Sequence, residues 1–262
     1  MKRKNRSKGK RSQRGIYILP NLFTSANLFC GFYAMIAAIQ GFFVRAAVAI
    51  MIAAVFDGLD GRIARVTRSV SKFGLEYDSL CDAISFGVAP GLLAYLWALE
   101  PFGRLGWLAA LLFVACGTLR LARFNTQTSY VGSTYFNGLP IPAAAFMIAA
   151  TVLFLHHLGK TGTTKHVTIV IMIYVLSFMM VSTVKYYSFK HVEVLGKMKF
   201  NVLVMVILFS ILTLVEPIVI LFFLILGYVV SGPFTTLWLH RRKQHAEGVV
   251  TDKADVTPQE SR

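Results

Sequence analysis

The sequence predicts an all-α, polytopic membrane helix bundle, and three observations carry that prediction. Hydrophobic residues make up 56% of the 262 residues and charged residues 15%, against about a quarter charged in a soluble domain. Such a chain has too little polar surface to cover its apolar side chains in water, so lipid must cover part of it. The apolar residues gather into eight runs close to the ~20 residues that cross a bilayer. The basic residues fall almost entirely on alternate sides of those runs, as the positive-inside rule requires.

The elements follow in order. Residues 1–16 carry eight Lys or Arg and no acid, a composition that reads as a disordered basic cytoplasmic tail. The spans are expected near 17–40, 44–64, 79–99, 105–124, 140–158, 167–185, 200–215 and 217–239. The first run is too long for the core of a signal peptide, and no small-x-small site ends it. Only Glu216-Pro217 separates the last two runs, so a tight turn and a single broken helix are both open. Residues 240–262 read as a polar cytoplasmic tail. With the amino terminus in the cytoplasm, 23 basic residues lie inside and four (Arg45, Arg104, Lys160, Lys165) outside. The net charge of +15 is therefore a topology signal and not a nucleic-acid footprint, because no basic stripe lies on a soluble domain. Cys30, Cys81 and Cys116 sit in apolar stretches with no metal or redox spacing. The histidines and the aromatic residues near span ends read as interfacial side chains.

Chemistry concentrates in one segment, FDGLDGRIARVTRSVSKFGLEYDSLCDAISFG. Intramembrane acids are costly, yet five of the twelve acids lie in this segment, and four of them are aspartates at the cytoplasmic ends of the second and third spans. Asp57 and Asp60 are i,i+3, and Asp78 and Asp82 are i,i+4, so each pair shares a helix face. The two helices are consecutive and antiparallel, which lets both faces meet at one point. Four carboxylates at one point repel unless divalent cations neutralise them, and all-oxygen donors favour Mg²⁺, Mn²⁺ or Ca²⁺ over zinc. The competing reading has Asp57 and Asp60 capping helix ends and Asp78 paired with Arg65 or Lys72. It serves one aspartate well and four on matched faces poorly. Gly58, Gly61 and Gly74 admit a close ligand, and Arg62 and Arg65 suit phosphate.

This segment resembles the signature of the CDP-alcohol phosphotransferase family, Asp-x2-Asp-Gly-x2-Ala-Arg-x8-Gly-x3-Asp-x3-Asp. It is met at every fixed position by Asp57, Asp60, Gly61, Ala64, Arg65, Gly74, Asp78 and Asp82. Eight matches at roughly one chance in 15 each are not accidental. The resemblance implies a six-helix membrane core over 17–185, with two further spans over 200–239, usually as a homodimer in the bilayer. It implies two divalent cations, Mg²⁺ or Mn²⁺, on Asp57, Asp60, Asp78 and Asp82. It also implies that Gly61, Ala64, Arg65 and Gly74 bind the CDP-lipid and that Asp82 is the general base. A metal-bound carboxylate is a weak base, so either Asp82 is loosely coordinated or a metal activates the alcohol.

LPNLFTSANLFCGF at 19–32, and LRLARFN and NGLPIPAAA within 116–145, are similar to the branch of that family whose acceptor is L-serine. That similarity implies transfer of a phosphatidyl group from CDP-diacylglycerol to serine at the cytoplasmic face. The Lys/Arg bias fits a bacterial inner membrane, and an archaeal or organelle membrane is also open. Arg120 and Arg123 suit the serine carboxylate, and Asn125 and Asn137 offer amide oxygens. Positive-inside anchoring explains the arginines equally well. Another alcohol acceptor (glycerol 3-phosphate, inositol phosphate, choline) remains open, and a cation transporter requires acids nearer the midplane than these. Asn21, Thr24 and Asn27 form a polar stripe on the first span that either faces the cleft or bonds a neighbouring helix.

Overall fold

The computed structural model describes residues 6–67, 71–127, 135–159, 166–187 and 215–254. Seven helices account for nearly all of them: α1 (Arg6–Ile39), α2 (Phe43–Val66), α3 (Lys72–Phe102), α4 (Arg104–Gln127), α5 (Ile141–His157), α6 (Val167–Val181) and α7 (Pro217–Ala254). The fold is the all-α membrane bundle read from composition. By length and composition, Leu19–Ile39, Lys72–Phe102, Arg104–Thr126 and Pro217–Thr236 can each cross a membrane, and α5 and α6 are shorter apolar helices. The expected span at 200–215 falls outside the described residues, apart from Val215.

Three boundaries differ from expectation. α1 is helical from Arg6, inside the stretch read as disordered, since Lys, Arg and Gln are good helix formers. α7 likewise continues to Ala254, well past the expected end of the span. α3 begins at Lys72, seven residues before its apolar run, because the Ser71 hydroxyl caps it by accepting from the Gly74 N–H at 3.0 Å. Two three-residue strands also form, β1 (Tyr135–Asn137) and β2 (Lys185–Tyr187), paired antiparallel. Strands this short give no alternation for a sequence to show.

Turn chemistry makes the first helices a hairpin. Gly41 has φ +79°, its N–H bonds the Ala38 carbonyl at 3.0 Å, and the Phe42 N–H bonds the Ala37 carbonyl at 2.8 Å. This pair is a Schellman motif with glycine at its left-handed position. α1 and α2 then pack along their length through Ala34, Ala37, Ala38, Ala46, Ala47 and Ala53, all buried. Small residues let the backbones approach, which is how helices associate where lipid is as apolar as the core. Many large side chains point outward, Phe29 at 71% exposure and Phe178 at 67%, while Phe86 and Phe113 are buried. That partition suits a hydrocarbon solvent.

α3 departs from regular geometry twice, with π-helical turns at Ala83–Val88 and Tyr95–Leu99. The first directly follows Asp82. Cross-links gather the catalytic-looking segments at one end of the bundle. Asn125 near the end of α4 bonds Ser79 on α3 at 2.9 Å, and an Arg123 Nη donates to the Val181 carbonyl at the end of α6 at 3.5 Å. The Gly138 N–H bonds the Val184 carbonyl at 2.8 Å, tying the entry of α5 to the exit of α6. At the opposite end His157 lies 3.2 Å from Glu216, which anchors the start of α7 to α5.

Candidate active site

The sequence places two aspartates near the end of α2 and two near the start of α3, and the hairpin of these helices sets them opposite each other. Among the described residues, one carboxylate oxygen from each of Asp57, Asp60 and Asp78 lies within 4.8 Å of the other two. Asp82 stands beside Asp57 but outside that group of three. Asp60 is 4% exposed and Asp82 9%. The one ion pair among the described residues is His157–Glu216, so no described Lys or Arg pairs with these acids. Neither end-capping nor pairing of Asp78 with Arg65 or Lys72 therefore accounts for the cluster.

The donor set fits divalent cations. Three carboxylates converge without a counter-charge, and the buried Asp78 Oδ1 has no hydrogen-bond partner. A buried anionic oxygen left in that condition is costly unless a cation meets it. All the converging donors are hard oxygens.

α1 supplies the outer support. The Thr24 hydroxyl donates to Asp60 Oδ2 at 2.8 Å, and Asn27 Nδ2 donates to Asp82 Oδ1 at 3.0 Å. The polar stripe on the first helix thus faces the carboxylates. α1 sits close enough because Gly31 packs directly on the Ser85 backbone, where a Cβ would come within 2.7 Å of Ser85 Cα. Ser85 then donates to the Asn27 carbonyl at 3.1 Å.

A cavity of about 240 Å³ opens beside the cluster between α1, α2 and α3. Asp60 and Asp78 form one wall, and Gly61, Ala64, Arg65 and Gly74 line the rest, with Asn21 and Thr24. The four residues expected at the CDP-lipid are thus brought together. Arg65 Nε is turned back onto its own helix, donating to the Gly61 carbonyl at 2.8 Å.

The residues expected at serine separate into two groups. Arg120 is largely buried, its Nε has no hydrogen-bond partner, and its charge acts on Asp82. Arg123 turns the other way, to the α6 carbonyl end, a favourable place for a cation. Asn125 is engaged with Ser79, one residue from Asp78. The side chain of Asn137 is outside the described set.

The model of the CDP-alcohol phosphatidyltransferase family matches residues 17–181, which span α1 to α6 and contain every site residue named above. The chain belongs to this family. A CDP-diacylglycerol–serine O-phosphatidyltransferase of Helicobacter pylori strain 26695 is 38% identical over 226 residues, covering 86% of this chain and 93% of the relative. One of Bacillus subtilis is 34% identical, covering 66% and 91%. An archaetidylserine synthase of Methanothermobacter thermautotrophicus is 37% identical, covering 64% and 69%. The CDP-alcohol phosphatidyltransferase family uses divalent metals, and this chain carries a cluster of three aspartates that could hold one. Tyr186 and Tyr228 lie beyond the matched segment; Tyr186, read from the sequence as an interfacial aromatic, is instead fully buried.

Proposed function

We propose that this protein transfers the phosphatidyl group of CDP-diacylglycerol to the hydroxyl of L-serine, giving phosphatidylserine and CMP. The observation that carries the reading is the convergence of Asp57, Asp60 and Asp78, two of which, Asp60 and Asp78, face a cavity walled by Gly61, Ala64, Arg65 and Gly74. The names of the Helicobacter and Bacillus relatives support serine as acceptor.

The residues divide the work. Asp57, Asp60 and Asp78, with Asp82 at the edge, would hold two divalent cations, Mg²⁺ or Mn²⁺, which supply charge stabilisation at the phosphate oxygens. Gly61, Ala64 and Gly74 leave room for the CMP portion, and Arg65 stands where it can meet the diphosphate. Asp82, held by Asn27 and outside the group of three, is the better base. It takes the proton from the serine hydroxyl as that oxygen bonds to the lipid-bearing phosphorus. The bond from that phosphorus to the bridging oxygen breaks, and its electron pair leaves with CMP. Arg120 receives the serine carboxylate in preference to Arg123, whose guanidinium is committed to α6.

The same reading places the protein in a bacterial inner membrane as a homodimer, with both termini and the site on the cytoplasmic side. The test is CMP release from CDP-diacylglycerol with Mg²⁺ or Mn²⁺, comparing L-serine, glycerol 3-phosphate, inositol phosphate and choline. Release with serine alone is expected. Release with another acceptor only would overturn the serine assignment and keep the chemistry.

A further inference from the structure

Beyond the cavity at the carboxylates, the seam between α1 and α3 continues as an apolar cleft of about 530 Å³. Leu28, Phe32 and Met35 of α1 line it below Ser25, opposite Ile84 and Val88 of α3. On α1, Asn21, Ser25, Leu28, Phe32 and Met35 recur every three or four residues, so they form one stripe down the helix. The top of that stripe, Asn21, is a wall of the cavity, and the rest is a wall of the cleft. α3 makes the same change along its length. Gly74 and Asp78 line the cavity, and Ile84 and Val88 line the cleft.

A pair of hydroxyls marks the junction. Ser25 Oγ lies 2.9 Å from the Tyr77 hydroxyl and donates to the Asn21 carbonyl at 2.8 Å. The Tyr77 ring is stacked on Phe73, with centroids 5.9 Å apart. Polar groups therefore end where the apolar walls begin, as the esters of a lipid end where its acyl chains begin. The depth below the junction also fits a chain. Ser25 and Met35 are ten positions apart, about 15 Å of helix, which is half of the ~30 Å hydrocarbon core. A chain hanging from the headgroup level crosses one leaflet, the same distance. A lipid whose headgroup is already held in the cavity presents its chain to the cleft at high effective concentration, so it displaces bulk lipid there. α7 does not cover the cleft. It packs on α5 and against β2, where the Tyr186 ring lies against Gly232, and none of its residues is in the cleft wall.

We propose that this cleft seats one acyl chain of the CDP-lipid substrate, entered past the Ser25–Tyr77 pair, and that its depth makes the enzyme selective for chain length. The inference rests on the CDP-diacylglycerol reading above and extends it from the headgroup to the chain.

The test uses the full-length protein in detergent with L-serine and Mn²⁺. KM is read from CMP release for CDP-dioleoylglycerol and for CDP-dihexanoylglycerol, whose short chains reach only the mouth of the cleft. Val88→Trp fills the cleft. It is expected to raise KM for the dioleoyl lipid about tenfold more than for the dihexanoyl lipid, the scale of a bulky group forced into an occupied site. Leu111→Trp, on an exposed face of α4 outside the cleft, should keep the wild-type ratio. If Val88→Trp does not fold, Phe32→Ala serves instead. It removes an exposed part of the wall and should shift the ratio in the same direction. An unchanged ratio in the folded variant overturns the proposal and leaves the cleft to bulk lipid or to a second copy of the chain. An equal rise for both lipids overturns it as well, since that marks a disturbed headgroup cavity, and so does an equal shift in Leu111→Trp. Failure of the wild-type protein to release CMP from either lipid with any acceptor would instead overturn the CDP-diacylglycerol reading and the proposal with it.

Discussion

At the scale of single residues, the division between Asp82 and the other three aspartates has consequences. Asp82→Asn removes a base but leaves the group of three intact, so CMP release should fall by about 10²-fold or more while Mn²⁺ binding persists. Calorimetry of Mn²⁺ binding alongside the activity assay separates the two effects. Thr24→Val should do the reverse. Its hydroxyl bonds Asp60, and loss of an outer partner of a metal-binding carboxylate weakens metal affinity by about 10–100-fold. The Mn²⁺ concentration needed for half-maximal activity should rise accordingly. The four aspartates were legible in the sequence because i,i+3 and i,i+4 spacing fixes a helix face whatever the tertiary fold. The roles of Thr24 and Asn27 were legible only as alternatives, since a polar stripe does not say which neighbour it meets. That depends on the contact of Gly31 with Ser85, which joins residues 54 positions apart.

At the scale of elements, that contact is the hinge of the site. Gly31→Ala places a methyl group into the Ser85 backbone. Overpacking of this kind costs about 1–3 kcal/mol, and here it also pushes α1 off α3. The thermal midpoint in detergent should fall, and activity should fall further than stability explains, because Thr24 and Asn27 travel with α1. Gly58, whose position is open, is the control, and Gly58→Ala should leave the midpoint nearly unchanged. Among the described residues, helix existence was read correctly from apolar length, but helix ends were not. The start of α3 is set by a Ser71 cap in a polar stretch, and a hydropathy run cannot show where a polar helix turn begins. The strands β1 and β2 were invisible for a related reason. They are held by the Gly138–Val184 bond and by the register of Tyr135 with Tyr187, which are long-range pairings.

At the scale of the whole molecule, the 23-to-4 split of basic residues predicts that one end of the bundle faces the cytoplasm. The carboxylates, the strands and the exit of α6 all gather at that end. In a variant lacking the three native cysteines, Lys72→Cys and Arg104→Cys place thiols at opposite ends of α3. In sealed spheroplasts an impermeant maleimide should label the second and spare the first. Labelling of Lys72→Cys alone would invert the topology. The overall architecture was legible because the bilayer imposes length and charge rules that act on sequence directly. The docking of α7 was not, since it turns on Gly232 accommodating the Tyr186 ring. The two π turns of α3 bear on how the ends of the molecule communicate. Each adds about one residue to a turn, an angular offset of about 100° against an unbroken α-helix. The inner half of α3 is therefore phased by its carboxylates and the outer half by its packing, with two slip joints between them. A one-residue deletion at Ala83–Val88 should return that turn to ordinary α-helix with the two halves still in phase, whereas a one-residue deletion in a regular α turn of α3 should rotate one half against the other.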